Sequence, residues 1–125
     1  MVAKRKQEED RIQAEIIDLL KVDAIPDLLY FSVPNGGERA WTTAITMKDT
    51  GQLKGMTDIV LIHPVSRIPH TMEVKTKTGS LDKDQRKVRD HCQRIGLPWA
   101  LVRSRDEAQA KLGEWGMLVH VGAPA

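Results

Sequence analysis

Two carboxylates and one ammonium group lie at strand-like segments, where a folded protein usually places apolar side chains. Residues 59–62 read Ile-Val-Leu-Ile, a short apolar run typical of a buried strand, and Asp58 precedes it directly. Glu73 and Lys75 flank Val74 in a second run of this kind. Burying charge is costly unless the charge is paired or binds a ligand. These three charged residues are therefore the first candidates for chemistry.

The register of a hairpin between the two segments would bring these residues together. If Ile62 pairs with Pro69 across a six-residue loop, antiparallel pairing places Asp58 opposite Glu73. Directly opposed side chains lie within about 5.5 Å at Cβ. Because side chains alternate along a strand, Glu73 and Lys75 share one face and Val74 points into the core. Two carboxylates and one ammonium group would converge at one end of a sheet.

Opposed carboxylates repel each other unless a cation lies between them. Mg²⁺ takes oxygen ligands and often binds through one or two carboxylates together with substrate phosphate. Lys75 could orient or deprotonate a water molecule there, or neutralise charge that develops on a phosphate. A surface hairpin with a cross-strand salt bridge is the alternative explanation, and it needs no metal.

Two further polar residues interrupt the apolar stripes of predicted helices. Glu15 lies at the edge of the first stripe, where a half-exposed glutamate is the simpler explanation. Gln85 occupies a core position of a later helix, and a buried amide needs a hydrogen-bond partner. The stripe of that helix consists of Leu81, Gln85, Val88, Cys92 and Ile95. Gln85 is either a satisfied core amide or a residue that orients the charged site.

The predicted elements follow the order α-β-α-β-β-α-β-α-β. Apolar spacing and turn residues predict helices at 4–21, 38–50, 81–95 and 105–112, and strands at 28–33, 57–62, 69–75, 97–102 and 117–121. Ser80 is the predicted N-cap of the third helix, and Ser104 opens the last one in a capping box, Ser-Arg-Asp-Glu. This order predicts a single domain over residues 1–125, an α/β sandwich with a central mixed sheet flanked by helices.

Composition excludes several classes of protein. With 41% apolar and 29% charged residues, the chain has the composition of a folded soluble protein. It contains neither an apolar run that could span a membrane nor a signal-peptide pattern, so we expect a cytoplasmic protein without a membrane partner. Cys92 is the only cysteine, which excludes a disulfide or a cysteine zinc site within one chain.

An ordered series of motifs resembles the VRR-Nuc family, the virus-type replication-repair nuclease branch of the PD-(D/E)XK superfamily. The motifs are Glu15, Ser32-Val33-Pro34-Asn35-Gly36-Gly37, Lys54-Gly55-Met56-Thr57-Asp58, Glu73-Val74-Lys75, Gly79-Ser80 and Gln85. The resemblance covers most of the chain, about residues 9–103, and the ordered series is far more specific than Glu-Val-Lys alone. Thr57 stands where the superfamily name has proline, at a position that shapes a turn and carries no chemistry.

The resemblance implies an endonuclease that hydrolyses DNA phosphodiester bonds with Mg²⁺ or Mn²⁺. The residues it assigns are Glu15, Asp58, Glu73 and the Val74 carbonyl as metal ligands, Lys75 as the catalytic lysine, and Gln85 as a neighbour of the active site. It further implies a minimal phage-type form, located in the host cytoplasm, that acts as a homodimer on branched DNA, as Holliday junction resolvases do.

Contacts with DNA phosphates are expected from polar and basic residues around these motifs. The candidates are Asn35, Lys54, Lys77, Ser80, Lys83, Arg86 and Lys87. A solvated helix face explains the basic residues equally well, because the net charge of the chain is only +2. Two rival functions stay open: a nucleic-acid-binding module with a vestigial nuclease site, and a small interaction protein with a salt-bridged hairpin.

Overall fold

Residues 2–34 and 51–120 are described by the computed structural model. The elements are α1 (Val2–Asp23), β1 (Leu29–Ser32), β2 (Ile59–Ile62), β3 (Pro69–Val74), α2 (Lys83–Ile95), β4 (Trp99–Val102) and α3 (Arg105–Glu114). The predicted helix at 38–50 and Asn35 lie outside the described residues. None of the helices within these ranges is long and apolar enough to cross a membrane.

The four strands form one mixed sheet in the order β1-β2-β3-β4. β1, β2 and β3 are antiparallel neighbours, and β4 runs parallel to β3. A parallel pair needs a crossover connection, which α2 supplies here. Ile62 lies opposite Pro69 and Ile59 opposite Met72, so the predicted hairpin register is confirmed. The predicted α/β architecture with a mixed sheet is confirmed as well.

The hydrophobic core lies between one face of the sheet and the helices α1 and α3. Its members are Ile12, Ile16, Leu19, Leu20, Ile59, Leu61, Met72, Val74, Val102, Ala108, Leu112, Met117 and Leu118. Val74 points into this core, and Glu73 therefore faces the other side of the sheet, as strand alternation predicted. On that other side, the Cys92 thiol of α2 contacts the Thr71 hydroxyl. Ile95, predicted to be buried, is 64% exposed because it is the last residue of α2.

The start of α2 differs from the prediction. Asp82, not Ser80, is the N-cap, and its carboxylate accepts the Gln85 backbone N–H at 2.8 Å. In return the Gln85 side-chain oxygen accepts the Asp82 N–H at 2.9 Å. This reciprocal capping box satisfies two backbone donors, which a serine two residues earlier cannot do. The partner that the Gln85 amide requires is thus the backbone at the helix start.

Replacing Asp82 by alanine is expected to destabilise the protein by about 1 kcal/mol, because the first turn of α2 loses its cap. Ser80→Ala is the matched control and should leave the free energy of unfolding unchanged. Urea unfolding followed by circular dichroism measures both variants. Equal losses in the two variants would contradict the observed helix start.

The predicted strand at 117–121 is wrong over its described part. Leu118 forms only an isolated bridge with Ala24, and the Val119 N–H donates to the Asp23 carbonyl at 2.7 Å. The segment therefore pairs with the chain that leaves α1 and does not join the sheet. Met117 is nevertheless fully buried, so its apolar character reflects packing in the core.

Candidate active site

Asp58 and Glu73 meet at one end of the sheet. Asp58 directly precedes β2, Glu73 lies near the end of β3, and the confirmed register places them opposite each other. The two carboxyl groups share a hydrogen bond. The backbone N–H of Val74 also donates to Asp58 Oδ2 at 2.7 Å, which fixes the Asp58 side chain against β3. The convergence of two carboxylates follows from the hairpin itself.

Glu73 is one of the most deeply buried residues of the protein, with 1% of its surface exposed. Burial, followed by the hydrogen bond and the negative charge of Asp58, raises the Glu73 pKa from 4.5 to about 10, against the opposing effect of Lys75. At neutral pH Glu73 is therefore protonated and can donate the hydrogen bond that it shares with Asp58. Glu73 Oε1 is buried and has no hydrogen-bond partner among the residues that the structure describes. A buried oxygen without a partner is costly, so this site favours a ligand that can supply one.

Lys75 and Glu9 complete the charged cluster. The Lys75 backbone N–H donates to the Val102 carbonyl at 3.0 Å, which fixes this residue just beyond β3. Its ammonium group acts to lower the pKa values of Glu73 and Glu9, against the larger effect of burial. The Glu9 pKa is nevertheless raised, first by burial and also by the charge of Asp58. Helix α1 thus contributes an acidic side chain that lies in the electric field of the Asp58–Glu73 pair.

The acidic side chain that α1 brings to the cluster is that of Glu9, whereas the resemblance in sequence motifs assigned Glu15. Six residues turn an α-helix by 600°, so the two side chains point about 120° apart and lie about 9 Å apart along the axis. Glu15 is 42% exposed and pairs with Arg11 at 3.2 Å. Glu9 precedes Ile12 by three residues and Ile16 by seven, so it continues the apolar stripe by one turn. That position in the stripe was the signal that could have identified it.

The turn ahead of Asp58 rests on the first turn of α2. The Met56 N–H bonds to the Leu53 carbonyl at 3.4 Å, and Gly55 has φ +83°, as the third position of a type II turn requires. A β-carbon at Gly55 would lie 2.5 Å from the backbone carbon of Asp84. Lys54 reinforces this contact through its ammonium group, 3.7 Å from the Asp84 carboxylate. The position of Asp58 therefore depends on α2, which also carries Gln85.

Gly55→Ala is expected to destabilise the protein by about 3 kcal/mol, because a positive φ and a backbone collision act together. Gly51→Ala is the matched control, since Gly51 has φ +91° but no atom of the described residues lies within 4 Å of the point that a β-carbon would occupy there. That control should lose about 1 kcal/mol from backbone strain alone. Urea unfolding compares the two variants, and equal losses would mean that the contact with Asp84 does not constrain the turn.

The described candidates for DNA contact lie in the segments that precede Asp58 and follow Lys75 along the chain. Lys54 lies in the turn before Asp58, and the others occupy the loop after Lys75 and the first turns of α2: Lys77, Ser80, Lys83, Arg86 and Lys87, all exposed. Arg86 is partly engaged, because its guanidinium group donates to the Leu81 carbonyl at 2.8 Å. Exposed basic groups beside an acidic site are suited to hold the phosphates on either side of a bound phosphodiester.

The donor set of the cluster fits a hard divalent cation. Within residues 2–34 and 51–120, no three acidic, histidine or cysteine side chains stand close enough together to form a metal site by themselves. The Asp58–Glu73 pair nevertheless presents two adjacent carboxyl groups, and Glu73 Oε1, which is buried, has no partner in the part of the chain that the structure describes. A cation there would replace the proton of Glu73 and give Glu73 Oε1 a partner. Water and phosphate oxygens would complete the coordination, as is common for Mg²⁺.

Known proteins resemble this chain in sequence and in fold. The family described as "VRR-NUC domain" matches residues 3–106, a range that includes every residue of the cluster. A solved structure titled "VRR_NUC domain" superposes with a TM-score of 0.58 at 18% identity, over 86% of this chain and 95% of that chain. At this level of identity the superposition supports the fold alone. No curated protein matches the sequence. From the family match, the chain belongs to the VRR-NUC domain family, which is a family of nucleases.

Proposed function

We propose that this protein is a metal-dependent endonuclease that hydrolyses phosphodiester bonds in DNA. The observation that carries the proposal is the buried Asp58–Glu73 pair, whose carboxyl groups share a hydrogen bond, while Glu73 Oε1 has no partner among the described residues. Such a pair is suited to bind a divalent cation, and membership of a nuclease family supports phosphodiester hydrolysis as the reaction.

In this proposal, the direct ligands from the chain are Asp58, Glu73 and the Val74 carbonyl, and Glu9 contributes its negative charge to the site. When bound, Mg²⁺ or Mn²⁺ would supply Lewis-acid stabilisation of the phosphate and a water molecule of lowered pKa. Asp58 is held for this task by the Val74 N–H, and burial keeps bulk water away from Glu73. Glu73 must lose its proton before its carboxylate can act as a ligand beside Asp58.

Lys75 is the proposed catalytic residue. Its ammonium group lies in the field of Glu73 and Glu9, beside the place where the phosphate would bind. There it orients the attacking water or neutralises charge on the phosphate as the new P–O bond forms and the bond to the leaving oxygen breaks. Gln85 acts less directly, because its side-chain oxygen is engaged in the cap of α2 and so helps to seat the turn before Asp58.

A cleavage assay with one charge-neutralising substitution tests this function. The purified protein and its Asp58→Asn variant are incubated with labelled linear duplex, flap and four-way junction, with Mg²⁺, Mn²⁺ or EDTA. Asp106→Asn is the matched control, since this exposed aspartate of α3 lies outside the cluster. We expect cleavage that EDTA and Asp58→Asn abolish and that the control retains. DNA binding without cleavage of any substrate would overturn the proposal in favour of a binding module.

We further propose that the substrate is branched DNA and that the protein acts as a homodimer. One domain of this size carries one cluster, and symmetric cutting of two strands in a four-way junction requires two clusters related by a two-fold axis. Paired nicks in the junction, together with a dimeric mass in analytical ultracentrifugation, are the expected results. Preferential cutting of linear duplex by a monomer would contradict both parts.

A further inference from the structure

We propose that Arg103 is a positioning residue for Lys75, an inference that rests on the proposed nuclease function. Arg103 follows β4 directly, and its Nη1 atom points at the loop that comes after Lys75. This nitrogen donates to the carbonyl of Thr76 at 2.7 Å and to that of Gly79 at 2.6 Å. The Lys77 carbonyl lies at 3.4 Å. Nη1 carries two hydrogens, so the two short bonds are the strong ones.

The loop at residues 76–79 depends on this guanidinium group for its conformation. Within the loop, the Gly79 N–H donates to the Thr76 hydroxyl at 3.0 Å, and Thr76 is buried. The three carbonyl oxygens converge on one point, where their partial negative charges would repel each other without a cation. Because the Thr76 and Gly79 bonds are partly buried, losing Arg103 would leave acceptors unsatisfied and favour a rearranged loop.

The loop in turn packs along Lys75. A β-carbon at Gly79 would lie 3.6 Å from Cδ of Lys75 and 3.0 Å from the Thr76 hydroxyl, so the Gly79 backbone forms a wall beside the lysine stem. The Lys75 backbone is fixed as well, since its N–H donates to Val102, the residue directly before Arg103. Val102 thus fixes the backbone of Lys75, and the next residue, Arg103, fixes the Gly79 backbone that packs against the Lys75 side chain.

Arg103 is itself anchored by the start of α3. Its backbone N–H donates to Glu107 Oε1 at 2.8 Å, while the Ser104 hydroxyl accepts the Glu107 N–H at 3.1 Å. The predicted capping box is therefore altered: the Ser104 hydroxyl makes the expected bond, but the Glu107 side chain accepts the N–H of Arg103 instead of the N–H of Ser104. A fixed guanidinium with several donors in one plane suits converging carbonyls better than a flexible ammonium group does. The helix therefore positions Arg103, which positions the loop and with it Lys75.

Kinetics of Arg103→Met test this role. If Lys75 is displaced by a fraction of an ångström, kcat should fall about 10- to 100-fold, while the rise in Tm caused by Mn²⁺ stays unchanged and KM for DNA changes much less than kcat, since Lys77 lies in the same loop. Arg105→Met is the matched control, because Arg105 is exposed in α3, bonds only within that helix among its described contacts, and has the same charge. A raised KM with an unchanged kcat would overturn the inference and assign Arg103 to phosphate binding.

A double variant asks whether Arg103 acts through Lys75. In a Lys75→Ala background, Arg103→Met should cause no further loss of cleavage, whereas independent roles would give the same factor in both backgrounds and overturn the inference.

Amide hydrogen exchange at Gly79 should accelerate in Arg103→Met but not in Arg105→Met, and an unchanged rate would show that Arg103 does not hold the loop. Arg103→Lys, which keeps the charge, should be intermediate in both readouts and replaces Arg103→Met if that variant does not fold. If the parent protein cleaves no DNA, the proposed nuclease function is wrong. This outcome differs from a failure of the Arg103 inference, in which the parent cleaves DNA but the variants do not behave as expected.

Discussion

Glu73→Gln is expected to abolish DNA cleavage and, at the same time, to stabilise the metal-free protein at neutral pH. Cleavage should fall by about 10³-fold or more, because an amide is a poor ligand for a hard cation and carries no charge. Stability should rise because glutamine resembles the protonated glutamate that the folded protein already contains. The amide can still donate a hydrogen bond to Asp58, and it does not have to take up a proton on folding, as the ionised glutamate of the unfolded chain does at neutral pH.

The pH dependence of this effect follows from the pKa of Glu73. The folded protein holds the proton up to a pKa of about 10, whereas the unfolded chain releases it near 4.5. Between these values the folded state binds the extra proton, so the parent's stability is greatest below about pH 4.5 and falls as pH rises towards 10. The glutamine variant lacks this slope. It should match the parent near pH 4.5 and exceed it by about 3 kcal/mol at pH 7.

Urea unfolding in EDTA, measured from pH 4.5 to pH 9, checks the stability of both proteins. Glu114→Gln is the matched control, because this glutamate of α3 is exposed and pairs only with Lys111 among its described contacts. Addition of Mn²⁺ should raise Tm for the parent and for the control but not for Glu73→Gln. Parallel pH profiles for the parent and Glu73→Gln would show that the buried carboxyl group does not hold its proton at neutral pH.

Glu9→Gln is expected to lower cleavage by about 10- to 100-fold, and Glu15→Gln is expected to leave it unchanged. The two variants make the same chemical change on the same helix. Only Glu9 lies in the field of Asp58 and Lys75, whereas Glu15 pairs with Arg11 at the surface. Removing the Glu9 carboxylate should weaken metal binding, so the Mn²⁺ concentration for half-maximal cleavage should rise.

A Mn²⁺ titration of both variants therefore distinguishes the two glutamates. Circular dichroism and Tm in EDTA should show that both variants fold like the parent, since each residue is at least partly exposed. The opposite result, with Glu15→Gln inactive and Glu9→Gln active, would mean that α1 presents its other face to the metal and would restore the assignment made from sequence motifs.

The sequence by itself determined the central pair and its surroundings. Asp58, Glu73 and Lys75 converge because hairpin register and side-chain alternation are local properties, set by the length of the loop between two apolar runs. The same locality explains why Val74 was correctly placed in the core and why Ser104 was correctly placed at the start of α3. The α/β architecture followed from the order of these local patterns.

Other features were decided by contacts between segments that are distant along the chain. The apolar stripe of α1 allowed either Glu9 or Glu15 at its margin, and only the packing of the helix against the sheet determined which one faces Asp58. The cap of α2, in contrast, is a local feature: Ser80 and Asp82 both suit an N-cap, and Gln85, three residues after Asp82, was the sequence signal that distinguishes them.

The anchoring of the loop after Lys75 shows most clearly what only the tertiary structure decides. Arg103 lies 24 to 27 residues after the carbonyls it binds, and backbone carbonyls leave no signature in a sequence. The close contact between Gly55 and the Asp84 backbone likewise leaves no signature in the sequence, since it joins a turn to a helix across the intervening hairpin. Residue types and spacing thus specified which groups could react, whereas helix rotation and long-range backbone contacts specified which groups hold them in place.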